Sequence, residues 1–260
     1  MKINSVLNFG ENVKQFFNAV VGLSVFVIVW ALLVWFTNVA EYLIPSPGQV
    51  GDALWDGRQV IWGHLLTTVS QAGIGLVLGV LFGLVVAIIL SYAQSLRSII
   101  EPLLVVSQSV PAVVLAPLFI IWFGFGMLPK IIVVALVTFF PIVLAALSGF
   151  DSVSADLHQL FDSLKVRKLA RLFHLQIPSA TEEIFAGLKI ATSYAIFGAV
   201  IAEWMGGSSG LGIYLKRSDA SYKTDQVFAA VVVIAIVSIF FYSLVVSLER
   251  YAMPYKKTHK

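Results

Sequence analysis

A chain of 260 residues that is 59% hydrophobic and only 12% charged, with a mean hydropathy of +0.92, lies far outside soluble globular domains, which carry about 25% charged residues. It is a membrane protein, and its formal net charge of +3 is too small and too localised for a nucleic-acid binder, recording membrane orientation instead. With no cysteine, disulfide, thiol and thiolate-metal chemistry are excluded.

Six spanning helices are predicted, making an all-α polytopic fold: residues 19–40, 66–91, 102–123, 129–149, 184–204 and 227–248. Each approaches or exceeds the roughly 20 apolar residues needed to cross the hydrocarbon core. Residues 1–18 form an N-terminal segment, 19–250 the membrane domain and 251–260 a basic tail. The first apolar run is about 33 Å long as a helix, so it spans the bilayer rather than serving as a cleavable signal. After it, Ser46-Pro47-Gly48-Gln49 combines a hydroxyl N-cap, a proline at the first helical position and Gln at the third, which starts a short helix.

In the second span Gly75, Gly79 and Gly83 recur every fourth residue. Such a stripe lets helices approach closely, either within one chain or between subunits. The third span carries Ser107-Gln108-Ser109-Val110-Pro111 and then Pro117. Polar groups before a proline satisfy freed carbonyls or face a water-filled path, and both readings fit. Pro141 adds a kink in the fourth span. In the fifth, Pro178 should end any preceding helix and Ser179-Ala180-Thr181-Glu182 should cap a new one.

Ionisable groups inside a membrane mark pathways or anchors. Lys189 reads as a snorkelling anchor near one end of the fifth span. Glu203, near its other end, reads either as a gate residue or as a hydrated interfacial carboxylate. Gln108, Ser109, Ser193, Tyr194 and Glu203 are the candidate path residues. No catalytic residue and no metal site is expected: HExxH, G-x-S-x-G and Walker motifs are missing, and the four histidines are scattered. The scarcity of buried acids and histidines argues against a proton-driven carrier.

On a six-span layout with both termini on one side, that side collects twelve lysines and arginines against five, which makes it cytoplasmic. Its longest loop, residues 151–183, contains Lys165, Arg167, Lys168 and Arg171. Leu157, Leu160, Phe161 and Leu164 form an apolar stripe on a short helix, and Val166, Leu169, Ala170 and Phe173 continue it. A basic amphipathic loop of this kind either lies on anionic headgroups or docks a soluble protein.

Aligned on Pro178, this loop resembles the cytoplasmic signature of permease subunits of bacterial ATP-binding cassette importers: E-A-A, three residues, Gly, nine residues, I-x-L-P. Gln159-Leu160-Phe161 stands for E-A-A, Lys165 for the glycine and Leu175-Gln176-Ile177-Pro178 for the close. LIPSPGQVGDAL, SVPAVVLAPLFIIWFGFG and AEWMGGSSGLG are similar to the branch serving nitrate, sulfonates, taurine and thiamine pyrimidine precursors, over about residues 43–250.

The resemblance implies a type I importer permease fold in a bacterial inner membrane and a homodimer of permeases. It also implies cytoplasmic ATPase subunits that use the ATP and Mg, and an extracytoplasmic solute-binding protein. This chain would hold no cofactor itself. Asp162, Leu164, Lys165, Arg167, Lys168, Leu169, Arg171, Phe173, Ile177 and Pro178 would form the ATPase-coupling loop. The alternative is an ion-coupled carrier or channel acting without an ATPase.

Overall fold

The computed structural model describes residues 3–37 and 39–253. The end of the basic tail, 254–260, and the side chains of 1–17 lie outside the described residues. The elements in chain order are α1 (Ile3–Thr37), α2 (Pro47–Asp56), α3 (Arg58–Tyr92), α4 (Gln94–Ser107), α5 (Ala112–Phe123), α6 (Leu128–Asp151), α7 (Ala155–Ser163) and α8 (Lys168–Arg171). A π-helical turn, Leu172–Gln176, then leads into α9 (Ile177–Gly206), followed by α10 (Leu211–Ala220) and α11 (Thr224–Ala252). Every regular element among the described residues is helical, as the sequence predicts.

Four helical runs are long and apolar enough to cross a membrane: α3, α6, α11 and the 39-residue run Lys168–Gly206. Val21–Thr37 and Val114–Phe123 are shorter apolar helices. The expected single helix over 102–123 is corrected to two, α4 and α5, broken at Gln108–Pro111. Pro111 lacks an N–H and drives Val110 away from helical backbone, so the ladder stops there. Pro111 itself is extended, with φ −61° and ψ 126°. From Ile3 on, the N-terminal stretch is the first part of α1 rather than a separate element.

The start expected at Ser179 is also corrected. The helix runs through Pro178 because the π turn precedes it, with the Ile177 N–H bonded to the Leu172 carbonyl. That wider turn accommodates a residue that cannot donate to the preceding turn. The Thr181 hydroxyl donates back to the Ile177 carbonyl at 2.9 Å instead of capping a new helix. The capping box expected at Ser46 does form: the Ser46 N–H donates to Gln49 Oε1 at 2.7 Å, and Gln49 N–H donates to Ser46 Oγ at 3.3 Å.

The core lies where α6 packs between α3 and α9, the two most extensive helix pairings in the chain. Val134, Ile142, Val143 and Ala146 of α6 are fully buried. The glycine stripe of α3 is packed within the chain, against α6. A Cβ at Gly75 would fall 2.5 Å from Val134, and one at Gly83 2.9 Å from Ile142. A Cβ at Gly79 would meet Thr138 Oγ1 and lie 2.7 Å from the Ala135 carbonyl. Helix α9 docks in the same way, with Gly187 against Ala145 and Gly198 against Val137. Without a hydrophobic drive between helices in lipid, this close contact is what holds the bundle together.

Gly79→Val is therefore expected to push α3 off α6 and cost about 1–3 kcal/mol, read as a lower midpoint in detergent thermal unfolding. Gly22→Val, at a site with nothing within 4 Å, should leave that midpoint unchanged.

Candidate functional site

At one end of the bundle α7 and α8 form an elbow. The α7 helix closes in a Schellman arrangement: the Val166 N–H donates to the Phe161 carbonyl at 3.1 Å and the Lys165 N–H to the Asp162 carbonyl at 3.0 Å. Lys165 sits at the position that such motifs give to glycine and adopts φ 49°. The loop thus keeps the glycine-type turn without the glycine, at a cost of roughly 1–2 kcal/mol for the left-handed backbone. Arg171 pairs with Asp162, tying α8 to α7.

The two faces of the elbow differ in exposure. Leu164, Leu169 and Phe173 are 65%, 68% and 59% exposed, whereas Leu172 and Leu175 are buried. Lys165, Arg167 and Lys168 are exposed, Ile177 is half-buried and Pro178 is exposed. The elbow's base is fastened to the spans. Tyr92 Oη donates to the Lys168 carbonyl at 2.8 Å. Arg97 of α4 reaches both Glu101 and, through a bidentate pair, Asp151 at the end of α6. Lys189 has a partner rather than a lone snorkelling role: its Nζ lies 2.6 Å from Glu249 of α11.

Above the elbow, the break between α4 and α5 opens a cavity of about 490 Å³. Its walls are Ser107, Gln108, Val110, Pro111 and Leu115, then Leu136, Val137 and Phe140 of α6, then Tyr194, Phe197 and Gly198 of α9. The structure thus brings the predicted Gln108 and Tyr194 together. Ser109 and Ser193 are exposed but are not among its walls.

Glu203 is elsewhere, fully buried at the opposite end of the bundle, which corrects the reading of a hydrated interfacial carboxylate. One carboxyl oxygen accepts from Thr68 Oγ1 at 2.7 Å and the other from the Gly212 N–H at 2.7 Å. The neighbouring N–H groups of Leu211 and Gly210 donate to Thr68 Oγ1 and His64 Nδ1 at 2.8 and 3.0 Å. Together these side chains satisfy the orphan donors at the start of α10 and place a carboxyl group at its positive end. Gly210 has φ 121°, and a Cβ there would strike the Glu203 carboxyl group, so this turn needs glycine.

Residues 75–254 match the model of the binding-protein-dependent transport system inner membrane component family. The chain belongs to this permease family. The permease is 33% identical over 218 residues to a probable ABC transporter permease protein of Haemophilus influenzae, covering 84% of this chain and 89% of that one. It is 31% identical over 217 residues to the formylaminopyrimidine transport permease ThiX of Halalkalibacterium halodurans, covering 83% and 87%. The aliphatic sulfonates transport permease SsuC of Bacillus subtilis, a putative one, is 27% identical over 241 residues, covering 91% and 87%.

Among solved structures, an amino acid ABC transporter with histidines aligns with a TM-score of 0.62 at 16% identity, over 76% of this chain and 96% of the other. A MetNI methionine ABC transporter in inward-facing conformations aligns at the same TM-score and 14% identity. Both share the fold. The protein is a membrane-spanning permease component of an ABC importer.

Sequence reasoning missed a second hollow of the permease, about 560 Å³, next to the Glu203 end, with Thr67, Gln71, Lys130 and the Gly206–Ser209 turn in its walls. Lys130 and Gln71 are 4% and 1% exposed there, and Gln71 Oε1 has no partner among the described residues. Lys130 lies at the first turn of the span expected over 129–149, where a lysine is taken for a residue at the membrane edge. In α6, which starts at Leu128, it is instead buried within the bundle.

Glu203→Ala is expected to strand Thr68 and the Gly212 N–H in the core and lower stability by about 2–4 kcal/mol, measured by thermal unfolding. Faster proteolysis of the 207–212 turn should accompany it. Conversely, Lys165→Gly should relieve the left-handed turn and slow amide exchange in α7, a gain of about 1 kcal/mol.

Proposed function

We propose that this permease is the membrane half of an ATP-driven importer, energised by a separate ATPase subunit that seats on the α7–α8 elbow. The observation that carries this reading is the elbow's two-faced construction. Leu164, Leu169 and Phe173 face outward while Leu172 and Leu175 are in the core, with Tyr92 and Arg97 fastening the base to α3, α4 and α6. A soluble partner gains contact area from the outward apolar set and orientation from Lys165, Arg167 and Lys168. Displacement then passes through the inward set to the spans. ATP and Mg belong to that partner, and this chain contributes none of the nucleotide chemistry.

In this reading the elbow end and both termini are cytoplasmic, which agrees with the distribution of basic residues. A solute-binding protein delivers cargo at the Glu203 end. The cavity beside Gln108 and Tyr194 is half of a conduit completed by a second copy of the chain, since Tyr194 and Phe197 on its rim are 47% and 65% exposed. Nucleotide binding shifts the pair between outward-open and inward-open arrangements, which takes a few kcal/mol of differential binding. The cargo is a small polar or anionic solute of the thiamine pyrimidine precursor, aliphatic sulfonate, taurine or nitrate class. The names of two relatives, for formylaminopyrimidine and for sulfonates, support that range.

Leu169→Asp with Phe173→Asp is expected to abolish co-purification of the ATPase subunit and solute uptake, with thermal unfolding unchanged because both side chains are exposed. Unchanged capture of the ATPase by the double variant would mean that the elbow rests on lipid headgroups instead. Uptake by the purified chain in liposomes without an ATPase would identify an ion-coupled carrier or channel.

A further inference from the structure

Among the described residues, the walls of the cavity between α4, α5, α6 and α9 carry no carboxylate, ammonium, guanidinium or imidazole group. Its polar groups are the Gln108 amide and the hydroxyls of Ser107 and Tyr194, and its apolar walls include the rings of Phe140 and Phe197. Of the ionisable side chains on the surrounding helices, Lys189 is engaged with Glu249, Arg97 with Glu101 and Asp151, and Glu203 with Thr68 and Gly212, while Glu182 and Glu183 are not among the cavity walls. Lys130 lines the other hollow. A symmetric second copy would add the same uncharged wall.

From this wall, and resting on the importer reading above, we infer that the conduit is built for a planar, uncharged heteroaromatic solute of the aminopyrimidine class rather than for a sulfonate, nitrate or taurine. An anion stripped of water here would meet no countercharge, a penalty of several kcal/mol that the wall cannot offset. Taurine would bring two unpaired charges. A flat ring meets the opposite situation. Tyr194, Phe197 and Phe140 in the walls supply aromatic rings against which it can pack. The Gln108 carboxamide presents a donor beside an acceptor, the complement of a ring nitrogen next to an exocyclic amine, which is how such amides read adenine edges.

The test uses the permease purified with its ATPase subunits in lipid nanodiscs and measures direct binding by saturation-transfer NMR at mildly alkaline pH. The probes are 4-aminopyrimidine (flat, neutral), benzenesulfonate (flat, anionic) and taurine (not flat, doubly charged). Binding is expected for 4-aminopyrimidine alone. Gln108→Ala and Tyr194→Ala should each weaken it by about tenfold. Gln108→Arg should make benzenesulfonate a ligand, a gain that an unfolded variant cannot show. The inference is overturned if benzenesulfonate or taurine binds the unaltered permease as well as 4-aminopyrimidine does, if both alanine variants keep full affinity, or if none of the probes binds. Retention of the ATPase in the same preparation reports separately on the importer reading. A complex that holds its ATPase but prefers an anion therefore loses only the solute class.

Discussion

Helix α6 is clasped on both sides at van der Waals distance, and the remaining architecture depends on that clasp. In a lipid solvent apolar side chains gain nothing by leaving the hydrocarbon, so helices stay together through close packing and satisfied polar groups. Gly75, Gly79 and Gly83 notch α3 to receive Val134, Thr138 and Ile142, and Gly187 and Gly198 notch α9 to receive Ala145 and Val137. Thr138 fits this seam because its hydroxyl donates to its own helix, at 2.8 Å from the Val134 carbonyl. Large exposed side chains such as Phe82, Phe240 and Ile239 are left for lipid.

With three helices fixed in that way, the functional parts hang from α9. Its first residues carry the elbow, its middle forms one wall of the cavity through Tyr194 and Phe197, and its last turn supplies the carboxyl group that seats α10. A displacement at the elbow therefore has a short covalent route to the cavity and beyond. Opposite this rigid wall, the α4–α5 break at Gln108–Pro111 gives the cavity its other side. A broken helix is tolerated at membrane depth only where its free backbone groups line a cavity or are covered by protein, and here they do the former.

Much of this was legible in the chain itself. Apolar runs, turn residues and the distribution of lysines located the spans and the elbow, because lipid imposes length and charge rules that act residue by residue. Gln108 and Tyr194, which share one cavity, stood out for the same reason, as polar groups in apolar runs. What escaped depended on contacts between distant segments. Beside Trp204 and a glycine run, Glu203 suited a gate or a hydrated interfacial carboxylate equally, and its burial depends on Thr68, 135 residues away. Gln71 and Lys130 lie within expected spans, but which helix face is buried depends on the packing of α3, α6 and α9. The broken third span had its sign in Pro111, but whether a proline kinks or breaks a helix depends on what its neighbours cover. Pro178 misled in the other direction, since a local widening of the helix absorbed it.

That widening has a geometric consequence for the elbow. The buried face of α9 includes Gly187 and Ala180; continued backward at uniform α-winding, it would next fall on residues 176–177, then 173, then 169. The π turn holds one surplus residue, which shifts the phase of everything before it by about 100°. Leu172 consequently takes the inward place, at 3% exposure, and Phe173 and Leu169 swing out to 59% and 68%. Rewinding this turn as regular α-helix with all its residues kept would rotate both side chains into the bundle, whereas deleting one residue within 172–176 would leave their outward phase as it is.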